Sequence, residues 1–224
     1  MINLFMIDIN SLPDPRDNAD LLICLPKAKQ EKILRLSMCE KRKQAWASAL
    51  ILKRILNHHN LSFDDIYYGD NNKPLCPNLY FNISHSKNLV VCATSNSEIG
   101  CDIEKIDYSI LPEKATKISE RFFHENETAL LDEIDSSQKN SRLYTFYRLW
   151  TIKESYVKMT GEGLTIPLDS FQVKFIDDYA HIHRDDFPMD CYIKETDYEG
   201  YHISVCSKEP EGEMLCTLIN HPLS

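Results

Sequence analysis

The sequence lacks the features by which a chain commonly enters or crosses a membrane. No apolar run approaches the roughly 18 residues that a transmembrane helix needs. The segment Met1–Asp8 has no basic region and contains an acid, so it does not have the composition of a signal peptide. We therefore expect a cytoplasmic protein with no membrane-bound state.

Positive charge is also in short supply. The chain has 25 lysines and arginines against 34 aspartates and glutamates, which gives a formal net charge of −9. An acidic surface repels the phosphates of nucleic acids and of anionic lipids. We expect neither nucleic acid nor a membrane among the partners, and an acidic protein partner has to meet a local basic patch.

None of the eight cysteines forms a Cys-x-x-Cys pair. Several of them, such as Cys92 and Cys206, lie among apolar residues of predicted strands, where cysteine acts as a small hydrophobic side chain. This pattern favours free thiols in a reducing compartment over disulfides or zinc. His181 and His183 could share one strand face as metal ligands, but no nearby residue completes such a site.

The sequence has only six glycines and contains neither a G-x-G-x-x-G loop nor a P-loop, which argues against a doubly wound parallel sheet. Hydrophobic periodicity instead predicts an α+β fold of two similar halves, 1–101 and 102–224, each with helices followed by a few antiparallel strands. A polar loop is predicted at 134–141. The predicted helices are 27–36, 40–58, 112–120, 125–133 and 141–159. The predicted strands are 3–9, 79–84, 89–95, 99–104, 171–176, 180–183, 190–196 and 200–207.

Three acidic residues and a lysine have the spacing of a site for a divalent cation and a phosphate. Alternate residues of a strand share a face, so Asp102 and Glu104 would project side by side. Residues four apart in a helix lie on one stripe, which aligns Trp150, Glu154 and Lys158. If the helix crosses the strand face, the carboxylates converge beside the ammonium, and Mg²⁺ would offset their repulsion. Taken singly, each segment also fits an ordinary solvated strand or helix face.

Three ordered motifs connect this pattern to a known family. They are Asn82-Ile83-Ser84-His85-Ser86, Gly100-Cys101-Asp102-Ile103-Glu104 and Trp150-Thr151-Ile152-Lys153-Glu154-Ser155-Tyr156-Val157-Lys158. Their order and spacing and the length of the chain resemble those of the 4′-phosphopantetheinyl transferases, in particular the long, surfactin-synthetase-activating type. Further similarity covers nearly the whole chain and includes Asn72-Lys73-Pro74 and Arg121-Phe122-Phe123.

The resemblance implies a fold and a reaction. The fold is a monomeric pseudo-dimer of two similar α/β halves, each with helices on a small, mostly antiparallel sheet, with the active site in the cleft between them. The reaction moves the 4′-phosphopantetheine arm of coenzyme A to a serine hydroxyl of an apo acyl or peptidyl carrier protein. It releases adenosine 3′,5′-bisphosphate and depends on Mg²⁺.

The resemblance also implies roles for individual residues. The metal ligands are Asp102, Glu104 and Glu154. The catalytic residues are Glu154, Lys158, Glu104 and His85. The contacts with coenzyme A are Lys29, Lys32, Arg42, Lys73, Ser84, His85 and Lys158. The family usually has an arginine for the 3′-phosphate where this chain has Gln44, so Arg42 or Lys43 has to reach that phosphate, or it is held more loosely.

The sequence leaves alternatives for the proton acceptor and for the function. The serine proton goes to Glu154, to Glu104 or to a metal-bound water, and Glu154 is preferred because its helix also carries Lys158. Trp150 is expected to pack and to fix the helix. The carrier protein is expected to dock at Lys105–Leu111, where apolar residues follow the metal strand. The alternative functions are a metal-dependent phosphodiesterase and a non-catalytic module that binds coenzyme A or a carrier protein.

Overall fold

Alternating hydrophobic residues form short strands in this chain, and longer amphipathic stretches form its helices. The computed structural model describes residues 1–135, 137–184, 191–210 and 212–220. The helices in these residues are α1 Lys27–Arg35, α2 Cys39–His58, α3 Pro112–Phe122, α4 Glu125–Glu133 and α5 Lys139–Thr160. The strands are β1 Ile2–Asp8, β2 Tyr67–Tyr68, β3 Pro74–Leu75, β4 Tyr80–Ser86, β5 Leu89–Ser95, β6 Ile99–Lys105, β7 Gln172–Ile176, β8 Tyr179–His183, β9 Tyr192–Tyr198, β10 Tyr201–Ser207 and β11 Met214–Leu218.

Most strands belong to two small sheets. The first sheet has the order β11-β1-β5-β4 and the second has the order β6-β10-β9. Neighbouring strands are antiparallel except β1 and β11, which run parallel. The pairs β2–β3 and β7–β8 form separate two-stranded ribbons. The prediction of an α+β fold with small, mainly antiparallel sheets is therefore confirmed.

The two sheets pack face to face, and a long helix covers the outer face of each. Alternate residues of β1 and β5 meet alternate residues of β6 and β10 in one buried cluster between the sheets. On the outer face of the first sheet, Val90 and Cys92 share a cluster with Trp46 and Ile51 of α2. Helix α5 lies on the outer face of the second sheet. Burial of these apolar faces is the main driving force for the four layers.

Gly100 allows α5 to lie directly on β6. A Cβ atom at Gly100 would stand 2.0 Å from the carbonyl oxygen of Ser155 and 2.3 Å from the backbone nitrogen of Met159. Only glycine lets the two backbones approach so closely. The contact therefore sets the height of the last turns of α5 above the strand that carries Asp102 and Glu104.

A buried ion pair fixes the rotation of α5 about its axis. Nζ of Lys153 lies 2.8 Å from Oε1 of Glu127 on α4 and donates to two carbonyl oxygens at 2.7 and 2.9 Å. The side chains of Lys153 and Glu127 are 0% and 1% exposed. A solvated helix face, the alternative from sequence, is therefore wrong for Lys153. Its burial turns the next residue, Glu154, towards β6.

The predicted helices and strands are confirmed within a few residues at their boundaries, with four qualifications. The polar loop at 134–141 is shorter than predicted because α5 begins at Lys139, and residue 136 lies outside the described residues. Residue 190, the first of the predicted strand 190–196, also lies outside them. The sequence does not predict the short strands β2 and β3, nor β11, which returns the second half of the chain to the first sheet. The division at 101 and 102 falls within β6, and the two halves as such stay a prediction.

The burial of the cysteines agrees in part with the prediction from sequence. None of the eight cysteines forms a disulfide. Four of them are buried, whereas Cys24, Cys39 and Cys216 are exposed, so the prediction of small buried hydrophobic residues is wrong for these three.

In the described part of the chain, no helix combines the length and the hydrophobicity that crossing a membrane requires.

Candidate active site

The two sheets meet where β4 lies beside β6, and serine–carboxylate hydrogen bonds link these strands. Ser84 Oγ donates to Asp102 Oδ1 at 2.8 Å, and Ser86 Oγ donates to Glu104 Oε2 at 2.8 Å. A step of two residues on one strand matches a step of two on the other, so the strands run in the same direction. The prediction that Asp102 and Glu104 share one strand face is confirmed.

Lys158 of α5 contacts the side chains of Ser84 and Asp102. Its Nζ lies 2.6 Å from Asp102 Oδ1 and 3.0 Å from Ser84 Oγ. Burial lowers the pKa of Lys158, but the charge and hydrogen bond of Asp102, together with the charges of Cys101 and Glu154, outweigh burial, so the pKa lies above its ordinary value. The structure therefore brings the lysine of the third motif onto the acid of the second and the serine of the first.

Glu104 and Glu154 belong to the same electrostatic cluster. Both are half-buried, and burial raises the pKa of each above the ordinary 4.5. The hydrogen bond from Ser86 opposes this effect at Glu104, while the charge of Asp102 adds to it at both residues. The charge of Asp102 thus opposes ionisation of Glu104 and Glu154, which is an environment that favours a bound cation.

Asp102 provides the test of whether these residues fit Mg²⁺. Its Oδ2 is buried and has no hydrogen-bond partner. A buried, unpartnered carboxylate oxygen is unfavourable by itself, and carboxylate oxygen is the ligand that Mg²⁺ prefers. Among the described residues, no three His, Cys, Asp or Glu side chains stand close enough together to hold a metal ion as they are placed. The chemistry of the donors fits Mg²⁺, and the metal site stays a prediction.

Two of the predicted contacts with coenzyme A, Lys29 and Lys32, line one pocket. This lysine pocket, of roughly 250 Å³, lies between α1, α2, β4 and the segment around Pro74. Burial and the charge of Lys32 lower the pKa of Lys29. The other lining residues are mostly apolar: Ile33, Leu36, Ala45, Ser48, Ala49, Leu52, Ile66, Tyr68, Phe81 and Ile83. Such a pocket suits a ligand that combines an apolar ring with an anionic group.

His85 lies between the lysine pocket and the acidic cluster. It follows Ser84 on β4 and projects from the same strand face as Ile83, which lines the pocket. Partial burial and the positive charge of Lys41 lower the pKa of His85. Lys41, an exposed residue of α2, is missing from the sequence prediction, because nothing distinguishes it there from its basic neighbours. A neutral imidazole beside the cations Lys41 and Lys158 is suited to contact with a phosphate.

Arg42 and Gln44 are engaged inside the fold, and neither lines the lysine pocket. Arg42 is 5% exposed, forms an ion pair with Asp14 and donates to two carbonyl oxygens, both at 2.7 Å. Gln44 is 1% exposed and donates to the carbonyl oxygen of Lys87 at 2.7 Å. The structure does not bring Arg42 together with the other predicted contacts, and its role towards the 3′-phosphate stays a prediction.

Lys73 also bonds within the protein, and its contact with coenzyme A stays a prediction. Its Nζ donates to the carbonyl oxygen of Met159 at 2.7 Å and to that of Ile99 at 3.4 Å. These are the end of α5 and the first residue of β6. The side chain of Lys73 therefore connects helix and strand.

Glu104 also lines an apolar cavity of roughly 220 Å³. It lies between α3 and α5, and Trp150 forms part of its wall. The ring of Trp150 stacks on that of Phe146, 6.2 Å between centroids, so the predicted packing role is confirmed. The segment predicted to dock the carrier protein borders this cavity through Ile110, and Leu111 is 68% exposed. Sequence alone does not reveal the cavity, because its walls are far apart in the chain.

Comparison with known proteins assigns the family. The family model described as the 4′-phosphopantetheinyl transferase superfamily matches residues 98–206, which contain two of the three motifs. The 4′-phosphopantetheinyl transferase gsp of Aneurinibacillus migulanus is 37% identical over 187 residues, covering 81% of this chain and 75% of that protein. The 4′-phosphopantetheinyl transferase Sfp of Bacillus subtilis is 34% identical over 168 residues, covering 74% and 71%.

A solved structure gives a weaker likeness. The holo-(acyl-carrier-protein) synthase from Bacillus anthracis, in complex with CoA (3′,5′-ADP), is 18% identical, with a TM-score of 0.38 over 49% of this chain and 93% of that one. That likeness is too low to bear on fold or function. On the identity to gsp and Sfp over most of its length, the chain belongs to the 4′-phosphopantetheinyl transferase superfamily and is an enzyme of that class.

Proposed function

We propose that the protein moves the 4′-phosphopantetheine arm of coenzyme A to a serine hydroxyl of an apo acyl or peptidyl carrier protein. The observation that carries the proposal is the contact of Lys158 with Asp102 and Ser84, at 2.6 and 3.0 Å. It places one residue of each motif at a single point, between the lysine pocket and the apolar cavity. A cation and an acidic cluster at such a point suit transfer of a phosphoryl group.

In this proposal the nucleotide of coenzyme A enters the lysine pocket. The apolar wall takes the adenine, while Lys29 and Lys32 neutralise the 3′-phosphate. Ser84 and His85 follow Ile83 of the pocket wall along β4, and in this proposal they meet the pyrophosphate. The apolar cavity beside Glu104 takes the pantetheine arm. Asp102, Glu104 and Glu154 would hold Mg²⁺, which neutralises charge on the pyrophosphate when bound.

The transfer itself breaks one phosphorus–oxygen bond and forms another. The serine oxygen of the carrier protein attacks the phosphorus that bears the pantetheine arm, and adenosine 3′,5′-bisphosphate leaves with the bridging oxygen. The serine proton passes to Glu154, or to Glu104, whose raised pKa values make both better proton acceptors than an exposed glutamate. Lys158 supplies a fixed positive charge to the phosphates.

The carrier protein approaches along the residues that border the apolar cavity. Tyr108 and Leu111 are 43% and 68% exposed, so this surface offers apolar contacts to a partner. Because the net charge of the chain is −9, we expect apolar contacts rather than charge to dominate the binding of an acidic carrier. We propose that the protein works as a monomer in the cytoplasm.

A mass-shift assay over a panel of apo carrier proteins tests the proposal. With coenzyme A and Mg²⁺, at least one carrier should gain the mass of one phosphopantetheine, and a carrier whose acceptor serine is replaced by alanine should gain none. Release of nucleotide from coenzyme A without any carrier would instead favour the phosphodiesterase. Binding of coenzyme A with no mass shift on any carrier would favour the non-catalytic module.

A further inference from the structure

Side chains from the loop between β2 and β3, residues 69–73, hold the end of α5. Asn71 Nδ2 donates to the carbonyl oxygens of Gly161 and Glu162 at 3.0 and 2.9 Å, and Lys73 Nζ donates to that of Met159 at 2.7 Å. The last four carbonyl groups of a helix have no partner within the helix, and a cation beside them also interacts favourably with the helix dipole. Lys73 therefore supplies one partner that the end of the helix lacks, from 86 residues earlier in the chain, and Asn71 holds the two residues that follow the helix.

The backbone has positive φ angles on both sides of this contact. Asn71 and Asn72 have φ angles of 55° and 59°, in the left-handed region. Gly161, with a φ of 75°, ends α5, and its missing Cβ would stand 3.3 Å from Cδ of Lys73. Asparagine adopts the left-handed region more readily than most other residues, and glycine does so without a steric penalty. The loop and the helix end thus fit each other closely.

The held turn carries Lys158. Met159, which accepts the hydrogen bond from Lys73, is the next residue of α5. The same ammonium donates to the carbonyl oxygen of Ile99 at 3.4 Å, on the strand that carries Asp102. A single lysine therefore connects the helix and the strand whose side chains form the 2.6 Å contact between Lys158 and Asp102.

The loop also reaches the lysine pocket. Tyr68 and Pro74, which flank the loop on either side, line that pocket. The side chains of Asn71 and Lys73, in contrast, bond to the end of α5, to the two residues after it and to β6, and are not part of the pocket wall. The loop thus separates two roles, since its ends border the nucleotide pocket and its middle holds the helix.

We propose that Asn71 and Lys73 form a clamp that positions Lys158 for transfer. Lys73 then acts through α5, not as the contact with coenzyme A that the family resemblance implies for it. The clamp rests on the proposed function, because Lys158 needs a fixed position only if it acts on the phosphates of the substrate. Asn71 and Lys73 are positioning residues in this scheme, and neither touches the reacting atoms.

Steady-state kinetics with coenzyme A and the best carrier protein separates the two roles of Lys73. We expect Asn71→Ala and Lys73→Met to lower kcat by about 5- to 20-fold through misplacement of Lys158, with KM for coenzyme A changed less than about twofold. Lys73→Arg keeps donors for the carbonyl groups and should recover most of kcat. Lys32→Met, in the pocket wall, is the control and should raise KM. A raised KM with unchanged kcat in Lys73→Met would overturn the clamp.

A double-mutant cycle shows whether the clamp acts through Lys158. In the Lys158→Arg background, which keeps the positive charge, Asn71→Ala should lower kcat by less than about twofold, because the group that it positions is already displaced. Equal fold-losses in both backgrounds would overturn the clamp. Asn71 is exposed, so its variant should fold, as thermal unfolding checks. A wild-type protein that modifies no carrier would refute the proposed function, whereas an active wild type with fully active variants would refute the clamp alone.

Discussion

At the scale of single residues, Asp102 determines the electrostatics of the site. Its Oδ1 accepts hydrogen bonds from Ser84 and Lys158, while its buried Oδ2 has no partner. A buried polar atom without a partner is rare in folded proteins and often marks a position used in function. Asp102 is therefore placed for a ligand as well as for the fold.

Substitution of Asp102 by asparagine should separate activity from stability. Asp102→Asn removes the charge beside Lys158 and one oxygen that fits Mg²⁺, so we expect kcat to fall by at least about a thousandfold. The lysine side chain is 28% exposed, and loss of such a partly solvated pair should change the free energy of unfolding by less than about 2 kcal/mol. Carrier modification and urea denaturation measure the two effects.

The control is Asp135→Asn, in the loop before α5. Asp135 is exposed, and its carboxylate accepts a local hydrogen bond from the backbone nitrogen of Ser137, so this variant should keep most of its activity. Substantial activity of Asp102→Asn at saturating Mg²⁺ would contradict the assigned role of the carboxylate.

Sequence periodicity is enough to place the residues of the site that lie on regular elements. Asp102 and Glu104 share a face because strands alternate, and Lys158 reaches Asp102 because helices repeat every 3.6 residues. The same rules cannot show that Arg42 pairs with Asp14 or that Lys73 turns to the end of α5. The partners of those side chains lie in distant parts of the chain. A long, flexible lysine or arginine has many possible acidic partners in a chain with 34 aspartates and glutamates.

At the scale of secondary structure elements, the ion pair of α5 with α4 contributes to stability and to direction. Lys153→Met leaves the carboxylate of Glu127 buried without its cation, so we expect a loss of about 3–5 kcal/mol in the free energy of unfolding. The double variant Lys153→Met/Glu127→Gln removes both charges and should recover part of that loss. Urea denaturation measures both, provided that the transitions are two-state.

A surface pair provides the reference for this measurement. Lys208 and Glu98 lie 3.4 Å apart with side chains 44% and 46% exposed, so Lys208→Met should change stability by less than about 0.5 kcal/mol. If Lys153→Met were no more costly than this, burial of the ion pair would not be what orients α5.

The contact of α5 with β6 depends on a missing side chain. In Gly100→Ala the new Cβ would stand 2.0 Å from the carbonyl oxygen of Ser155, so the helix has to move outward. We expect a loss of about 2–4 kcal/mol of stability, at or above the usual cost of overpacking, and a fall in kcat as Lys158 moves from Asp102. Denaturation and the carrier assay measure both.

Gly212 supplies the matched glycine for that experiment. Nothing lies within 4 Å of a Cβ atom added there, so Gly212→Ala should leave both stability and activity within error of the wild type. A Gly100→Ala protein of wild-type stability would mean that the backbones of α5 and β6 do not meet as closely as described.

Element boundaries follow from local sequence, and pairings that depend on the whole fold do not. The helix α5 ends at Gly161 because a left-handed glycine stops a helix. The strand β11 has no such local signal, because Leu215 and Cys216 are exposed and the strand is short. It forms because β1 has a free edge to which it can pair.

At the scale of the whole molecule, the site lies where the two sheets meet. The first sheet contributes Ser84 and His85 and the second contributes Asp102 and Glu104, while α5 brings Glu154 and Lys158 from above. Three carboxylates and one lysine leave an excess of negative charge at this meeting point. The fold tolerates the excess, because the apolar clusters between the layers stabilise the protein independently of the site.

This excess of charge should make stability depend on pH in a defined direction. The pKa values of Glu104 and Glu154 in the folded protein lie above the ordinary 4.5, mainly through burial. Between 4.5 and those higher values the folded state binds more protons than the unfolded state, so the free energy of unfolding falls as pH rises. The contribution of the two groups is fully present below pH 4.5 and is lost as pH rises through their folded pKa values.

The double variant Glu104→Gln/Glu154→Gln isolates this contribution, because other groups titrate equally in both proteins. The stability of the wild type relative to the variant should decline from pH 4.5 towards neutral pH, as measured by urea denaturation. Mg²⁺ binds the ionised carboxylates, so it should raise the melting temperature of the wild type at neutral pH, less so near pH 4.5, and not that of the variant. A constant difference across this range would show that the two glutamates titrate normally in the folded protein. An equal response of both proteins to Mg²⁺ would place the cation elsewhere.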